Sequence, residues 1–121
     1  MSTRCQVRIK VNNKELMLYH HFDGYPEGVG YCLLKLMEQY KSGCWFQSII
    51  NDMVKRADFE ITFINHGDIE YLYEMDFDKK VVLCYSVDNW ENHMKILETI
   101  PLVYDETKDC NVDKQLFRKE A

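Results

Sequence analysis

The chain has 121 residues and a formal net charge of −5, from 15 Lys and Arg against 20 Asp and Glu. This length fits one domain and excludes a multidomain enzyme. Hydrophobic residues make up 46% and charged residues 29%, which excludes a disordered, collagen-like or coiled-coil chain. The acidic total argues against nonspecific binding to nucleic acid, because such binding depends on a net basic face.

The charge is unevenly distributed along the chain. Residues 1–57 carry eight basic and five acidic groups, whereas residues 58–91 carry two basic and nine acidic groups. A small anionic ligand needs only a few local cations, and the first half of the chain supplies them. The acidic segment instead suggests a face that a basic partner would recognise.

The N-terminus and the cysteines predict a reduced cytoplasmic protein. Residues 1–6 contain no apolar signal-peptide core, and no apolar run approaches the roughly 18 residues of a membrane span. The five cysteines form no C-x-x-C pair, so neither a zinc ribbon nor a disulfide framework is expected. We expect all of them to act as small apolar residues; they are Cys5, Cys32, Cys44, Cys84 and Cys110.

The first half of the chain predicts a hairpin followed by two helices. Residues 5–21 alternate between apolar and polar positions on either side of an Asn-Asn-Lys turn, which is typical of a β-hairpin. Residues 22–28 form a loop rich in glycine. Apolar residues then recur at helical spacing over 29–41 and again over 45–57.

The second half predicts a three-stranded antiparallel meander over 59–63, 69–77 and 81–87. A short helix is expected within 88–100, since Trp90, Met94 and Leu97 follow helical spacing. The fold class is therefore α+β, with the helices packed on one face of the sheet. We expect one domain over 1–104 and a polar tail or arm over 105–121.

Histidines and carboxylates occur together in two loops. His20 and His21 precede Asp23, and His66 lies beside Asp68. If the hairpin and the meander share a sheet, these groups could gather at one edge as a metal site or an acid–base pair. The alternative, which the sequence favours, is that these residues form turns, since no metal-ligand spacing such as H-E-x-x-H is present. We therefore expect no metal, no cofactor and no catalytic residue.

Other features are compatible with binding an anion. Arg8 on the first strand and Arg56 at the end of the second helix are candidate phosphate contacts, although solvation and the helix dipole also explain them. Gly24, Gly28 and Gly30 precede a helix but lack the spacing of a phosphate loop. The aromatic residues that could stack on a base, or else belong to the core, are Tyr25, Tyr71, Tyr73 and Trp90.

Two stretches resemble a family of small phage, prophage and bacterial proteins. Residues 18–29, LYHHFDGYPEGV, resemble the family signature LYRHWDGYPEGV, and residues 66–73, HGDIEYLY, resemble a later segment of the same family. His20 replaces the family's arginine and Phe22 its tryptophan, so a role that needs a guanidinium or an indole N–H does not transfer.

The resemblance implies a phage or prophage counter-defence protein. By analogy with the Thoeris anti-defence sponges, the expected function is sequestration of a small anionic cyclic nucleotide by a homo-oligomer, without cleavage. Two alternatives stay open: an anti-CRISPR-type inhibitor that binds a host protein through its acidic face, and a small nucleotide-processing hydrolase. The expected ligand contacts are His20, His21, Asp23, Tyr25, Arg8, Arg56, His66 and Asp68.

Overall fold

The structure, a computed structural model, describes residues 3–90 and 93–103, apart from the side chains of Arg56, Asn89, Trp90 and His93. The predicted tail, 105–121, lies outside the described residues. The strands are β1 (Cys5–Val11), β2 (Lys14–His20), β3 (Glu60–Thr62), β4 (Tyr71–Asp76), β5 (Val81–Trp90) and β6 (His93–Ile100). A π-helical turn (Pro26–Gly30) leads into α1 (Tyr31–Lys41), and α2 (Phe46–Arg56) follows.

The strands form one six-stranded mixed sheet in the order β3-β2-β1-β4-β5-β6. The pair β1–β4 is parallel and all other neighbours are antiparallel. The α+β class, the first hairpin and both long helices are therefore confirmed. None of the described helices has the length and apolar character needed to span a bilayer.

The predicted three-stranded meander is wrong in its pairing. β3 does not join β4; it pairs with β2 at the edge of the sheet, with Leu18 opposite Ile61. β4 instead lies parallel to β1, with Val7 opposite Tyr73. Residues 63–70 therefore cross from the sheet edge to its centre. Alternation of apolar and polar residues determines which face a side chain occupies, but it does not determine which strand is the neighbour.

The helix predicted within 88–100 is also wrong. β5 continues to Trp90 and β6 returns antiparallel to it, with a register shift between Ser86 and Val87. Met94 packs against a small apolar cluster, whereas Leu97 is 58% exposed. The residues with helical spacing therefore do not form one buried stripe, and pairing with β5 satisfies the backbone instead.

The main core lies between both helices and one face of the sheet. Cys5, Val7 and Ile9 of β1 are fully buried there against helix residues such as Leu33 and Met53. We call the opposite side of the sheet the open face. A second, smaller cluster on that face contains Tyr19, Ile69, Leu72 and Val87.

The glycine-containing loop packs tightly against the sheet. The hydroxyl of the buried Tyr73 donates a 2.7 Å hydrogen bond to the carbonyl oxygen of Gly24. Asp23 adopts a left-handed conformation with φ 54°, and its carbonyl oxygen accepts a hydrogen bond from the Val29 amide. The loop is thus fixed by one hydrogen bond from a buried side chain and one within its own backbone.

The cysteines differ in state. Cys5, Cys44 and Cys84 are free, and burial raises the pKa of the Cys84 thiol to about 11. Such a thiol is unreactive at neutral pH. Cys32 is disulfide-bonded. The expectation that every cysteine is reduced is therefore wrong for Cys32.

Candidate functional site

Three of the predicted site residues meet on the open face of the sheet, around the ring of Tyr19. His66 stacks on that ring with 4.0 Å between centroids, and His21 meets its edge at 4.7 Å. The Tyr19 hydroxyl donates to Asp68, with oxygen–oxygen distances of 2.8 and 2.9 Å. The hairpin and the later strands share one sheet, which was the condition under which the sequence predicted that these histidines and carboxylates gather. The loops that carry His21, His66 and Asp68 therefore converge.

Further polar partners complete this group, which we call the Tyr19 cluster: Arg4, Tyr19, His21, Glu60, Thr62, His66 and Asp68. His21 Nε2 lies 3.0 Å from Glu60 Oε1, and His66 Nε2 lies 2.9 Å from Thr62 Oγ1. Arg4 Nε lies 3.3 Å from Asp68 Oδ2. Burial, followed by the hydrogen bond to Asp68, raises the pKa of Tyr19 to about 12, so its hydroxyl stays a donor at neutral pH.

Gln6 holds the crossing segment against the sheet. Its Nε2 donates to the carbonyl oxygen of Ile64 at 3.0 Å, and its Oε1 accepts from the amide of His66 at 2.8 Å. Gln6 is fully buried, although alternation along β1 indicated a solvent-facing position. Both ends of one side chain are thus used to position His66, a role that the sequence pattern did not indicate.

A cleft opens on the open face beside the Tyr19 cluster, where residue 63 lies against β1, β2 and β3. Its volume is about 190 Å³, and it is lined by Arg8, Glu15, Leu16, Met17, Thr62 and Phe63. Phe63 is 91% exposed. Arg8 Nη1 lies 3.7 Å from Glu74 Oε2, while Lys10 Nζ holds the other oxygen of Glu74 at 3.1 Å. We call this concavity the Arg8 cleft.

His20 lies apart from the site. Successive strand residues face opposite sides of a sheet, so His21 reaches the open face and His20 is buried on the helix side. Its ring stacks on Phe59 at 4.2 Å and contacts Phe22 at 4.5 Å. Neither ring nitrogen has a hydrogen-bond partner among the described residues. Burial lowers the pKa of His20 to about 4, although the carboxylates of Asp23 and Asp58 oppose the shift.

Asp23 and Tyr25 contribute to the loop. The Tyr25 hydroxyl donates a 3.4 Å hydrogen bond to Asp23 Oδ1, and within the described part of the chain no hydrogen bond or ion pair joins either residue to the Tyr19 cluster. The side chain of Arg56 lies outside the described residues. The structure therefore separates the loop motif from His21, although His21 directly precedes that motif in the sequence.

The glycines before α1 are packed rather than open to a phosphate. A Cβ added at Gly28 would lie 2.4 Å from the carbonyl oxygen of Asp23. A Cβ added at Gly30 would lie 2.9 Å from the ring of Tyr73. Among the described side chains, no group of three or more His, Cys, Asp or Glu is arranged to hold a metal ion.

Several of the acidic strand residues have ion-pair or hydrogen-bond partners within the chain. Glu74 pairs with both Arg8 and Lys10, and Asp76 accepts hydrogen bonds from the amides of Asp78 and Lys79 at 3.0 Å each. Glu70 is exposed, and Glu60 contacts His21. Pairing of Glu74 with two cations leaves less negative surface for mimicry of a nucleic acid than the sequence indicated.

Comparison of the chain with protein-family models, with curated proteins and with solved structures finds no match.

Proposed function

We propose that this protein binds a small anionic ligand in the Arg8 cleft and releases it unchanged. The ligand class is the cyclic nucleotide immune signals, and the context is a phage or prophage counter-defence protein. One observation carries the proposal: a guanidinium, a hydroxyl and an exposed aromatic ring line the same concave surface, through Arg8, Thr62 and Phe63.

The three groups match the parts of a nucleotide. A guanidinium recognises phosphate oxygens through two parallel hydrogen bonds. An exposed aromatic ring offers a face on which a base can stack, and Phe63 is 91% exposed. The Thr62 hydroxyl can donate to, or accept from, a sugar or phosphate group.

Arg8 can reach a ligand at low cost. Its 3.7 Å approach to Glu74 is too long for a hydrogen bond, so the pair is held only by charge. Lys10 Nζ lies 3.1 Å from the other oxygen of Glu74. The carboxylate is therefore not left without a cation when a phosphate takes Arg8.

The size of the cleft limits how much of a ligand it encloses. At about 190 Å³ it is smaller than the roughly 300 Å³ at which common ligand pockets begin. We expect it to enclose one phosphate or one base, with the remainder of the ligand on the surface.

Binding without cleavage follows from where the histidines lie. Neither imidazole lines the Arg8 cleft: His21 faces Glu60, and His66 Nε2 is 2.9 Å from the hydroxyl of Thr62, which does line the cleft. A general base has to reach the reacting atom directly or through one water molecule. Heating the loaded protein should therefore release intact nucleotide, identified by mass spectrometry; hydrolysed product, lost in a His21→Ala/His66→Ala double variant, would support the hydrolase instead.

Replacing Arg8 should weaken ligand binding by about tenfold or more, since a hydrogen bond to a charged group contributes roughly 1.5–3 kcal/mol. The measurement is isothermal titration of wild type and Arg8→Gln with a panel of cyclic mono- and dinucleotides. The matched control is Lys41→Gln, because Lys41 also pairs with a carboxylate, Glu38, but lies on α1 and does not line the cleft. Equal losses in both variants, or no binding by the wild type, would contradict the proposal.

A further inference from the structure

The outer edge of β6 is a pairing surface without a partner among the described residues. β6 is the last strand of the sheet, opposite the edge formed by β3. Residues 95–99 are all exposed, including Ile96 at 51% and Leu97 at 58%. A long edge strand with exposed apolar side chains is a template for another strand, and proteins usually cover or charge such edges.

The charges along β6 are complementary to those of a second copy. In an antiparallel pairing with a two-fold axis between Ile96 and Leu97, Lys95 of one copy lies opposite Glu98 of the other. The same symmetry repeats this pair on the other side of the axis. Neither Lys95 nor Glu98 forms an ion pair within the described chain, so both are available for a partner.

The irregularity in β6 makes this symmetry possible. Directly opposed residues of two strands must lie on the same face of the sheet, and in a regular strand Lys95 and Glu98 would lie on opposite faces. In β6, Lys95 is opposite Asp88 and Glu98 is opposite Ser86, which are two residues apart on β5. Leu97 is the extra residue of a bulge, so Lys95 and Glu98 share a face.

We propose that two copies of this chain pair through β6 to form a dimer with one continuous sheet. Opposite charges directly across strands stabilise a pair, and the apolar Ile96 and Leu97 become covered at the axis. The interface lies at the sheet edge away from β2 and β3, whose residues line the Arg8 cleft. The dimer is therefore independent of the proposed ligand site.

Charge reversal at either position should weaken the dimer, and reversal at both should restore it. Sedimentation equilibrium of the full chain should give twice the monomer mass of 14.5 kDa. We expect Lys95→Glu and Glu98→Lys each to raise the dissociation constant by about tenfold, since each creates two like-charge pairs. The Lys95→Glu/Glu98→Lys variant should return it to within about threefold of wild type.

The control is Lys79→Glu, which makes the same charge change at an exposed residue of the β4–β5 turn and should leave the dimer intact. A wild-type monomer, including one whose β6 edge is covered by residues 104–121, would overturn the proposal. So would a dimer that is insensitive to both single reversals. Nucleotide titration of Lys95→Glu should match wild type, so failure of either proposal is seen separately.

Discussion

Acidification from pH 7 to pH 4 should reduce the free energy of unfolding by about 3 kcal/mol through His20 alone. The pKa of this imidazole is lowered from 6.5 to about 4 in the folded protein because the ring is buried between Phe22 and Phe59. Between these two values the unfolded chain binds a proton that the folded chain does not bind. The contribution of His20 to the free energy of unfolding is therefore fully present above pH 6.5 and is lost progressively towards pH 4.

Urea denaturation between pH 7 and pH 4 measures this loss, at fixed protein concentration. The decrease in the free energy of unfolding from pH 7 to pH 4 should be about 3 kcal/mol smaller in His20→Leu than in wild type, because the variant lacks the titrating group. His21→Gln is the matched control, since it also removes an imidazole, but one that is about half exposed on the opposite face of the sheet. Parallel pH profiles for wild type and His20→Leu would show that burial of His20 does not govern acid stability.

The Gly28→Ala substitution should destabilise the fold by about 3 kcal/mol. The new methyl group would lie 2.4 Å from the carbonyl oxygen of Asp23, and this backbone atom cannot rotate away as a side chain can. The same oxygen accepts the 2.9 Å hydrogen bond from Val29 at the entrance to α1. Relieving the clash therefore requires the loop to move and this hydrogen bond to lengthen.

Gly67→Ala is the corresponding control for Gly28. Its added methyl group would have no neighbour within 4 Å, so we expect a change below about 0.5 kcal/mol. Urea unfolding midpoints of the two variants test the comparison. If Gly28→Ala were as stable as Gly67→Ala, the loop over 22–28 would have to be loosely packed against the sheet, which would contradict this account.

The sequence predicted faces and local elements better than it predicted neighbours. The hairpin and both helices follow from short-range periodicity, because each pattern concerns residues a few positions apart. The placement of β3 depends on whether residues 63–70 turn back at once or cross the sheet. That choice is made by long-range contacts such as the hydrogen bonds of Gln6 to Ile64 and His66, which no local pattern contains.

The candidate site was only partly predicted, again because its assembly depends on long-range contacts. His21, His66 and Asp68 do meet, since the loops carrying them lie over one sheet. Thr62 and Phe63 were not singled out, because their importance comes from where the crossing segment lies. His20 was grouped with its neighbour His21, although strand alternation alone indicated that the two point to opposite faces.

Amide chemical-shift mapping by NMR tests the central proposal most directly. A cyclic nucleotide that binds in the calorimetric titration is added to the isotope-labelled protein, and the residues whose amide shifts change are located. Binding in the Arg8 cleft predicts shifts at Arg8, Thr62 and Phe63, with little change at Lys41 in α1, on the helix side of the sheet. Shifts confined to the groove between Pro26 and Leu102 would contradict the proposed site.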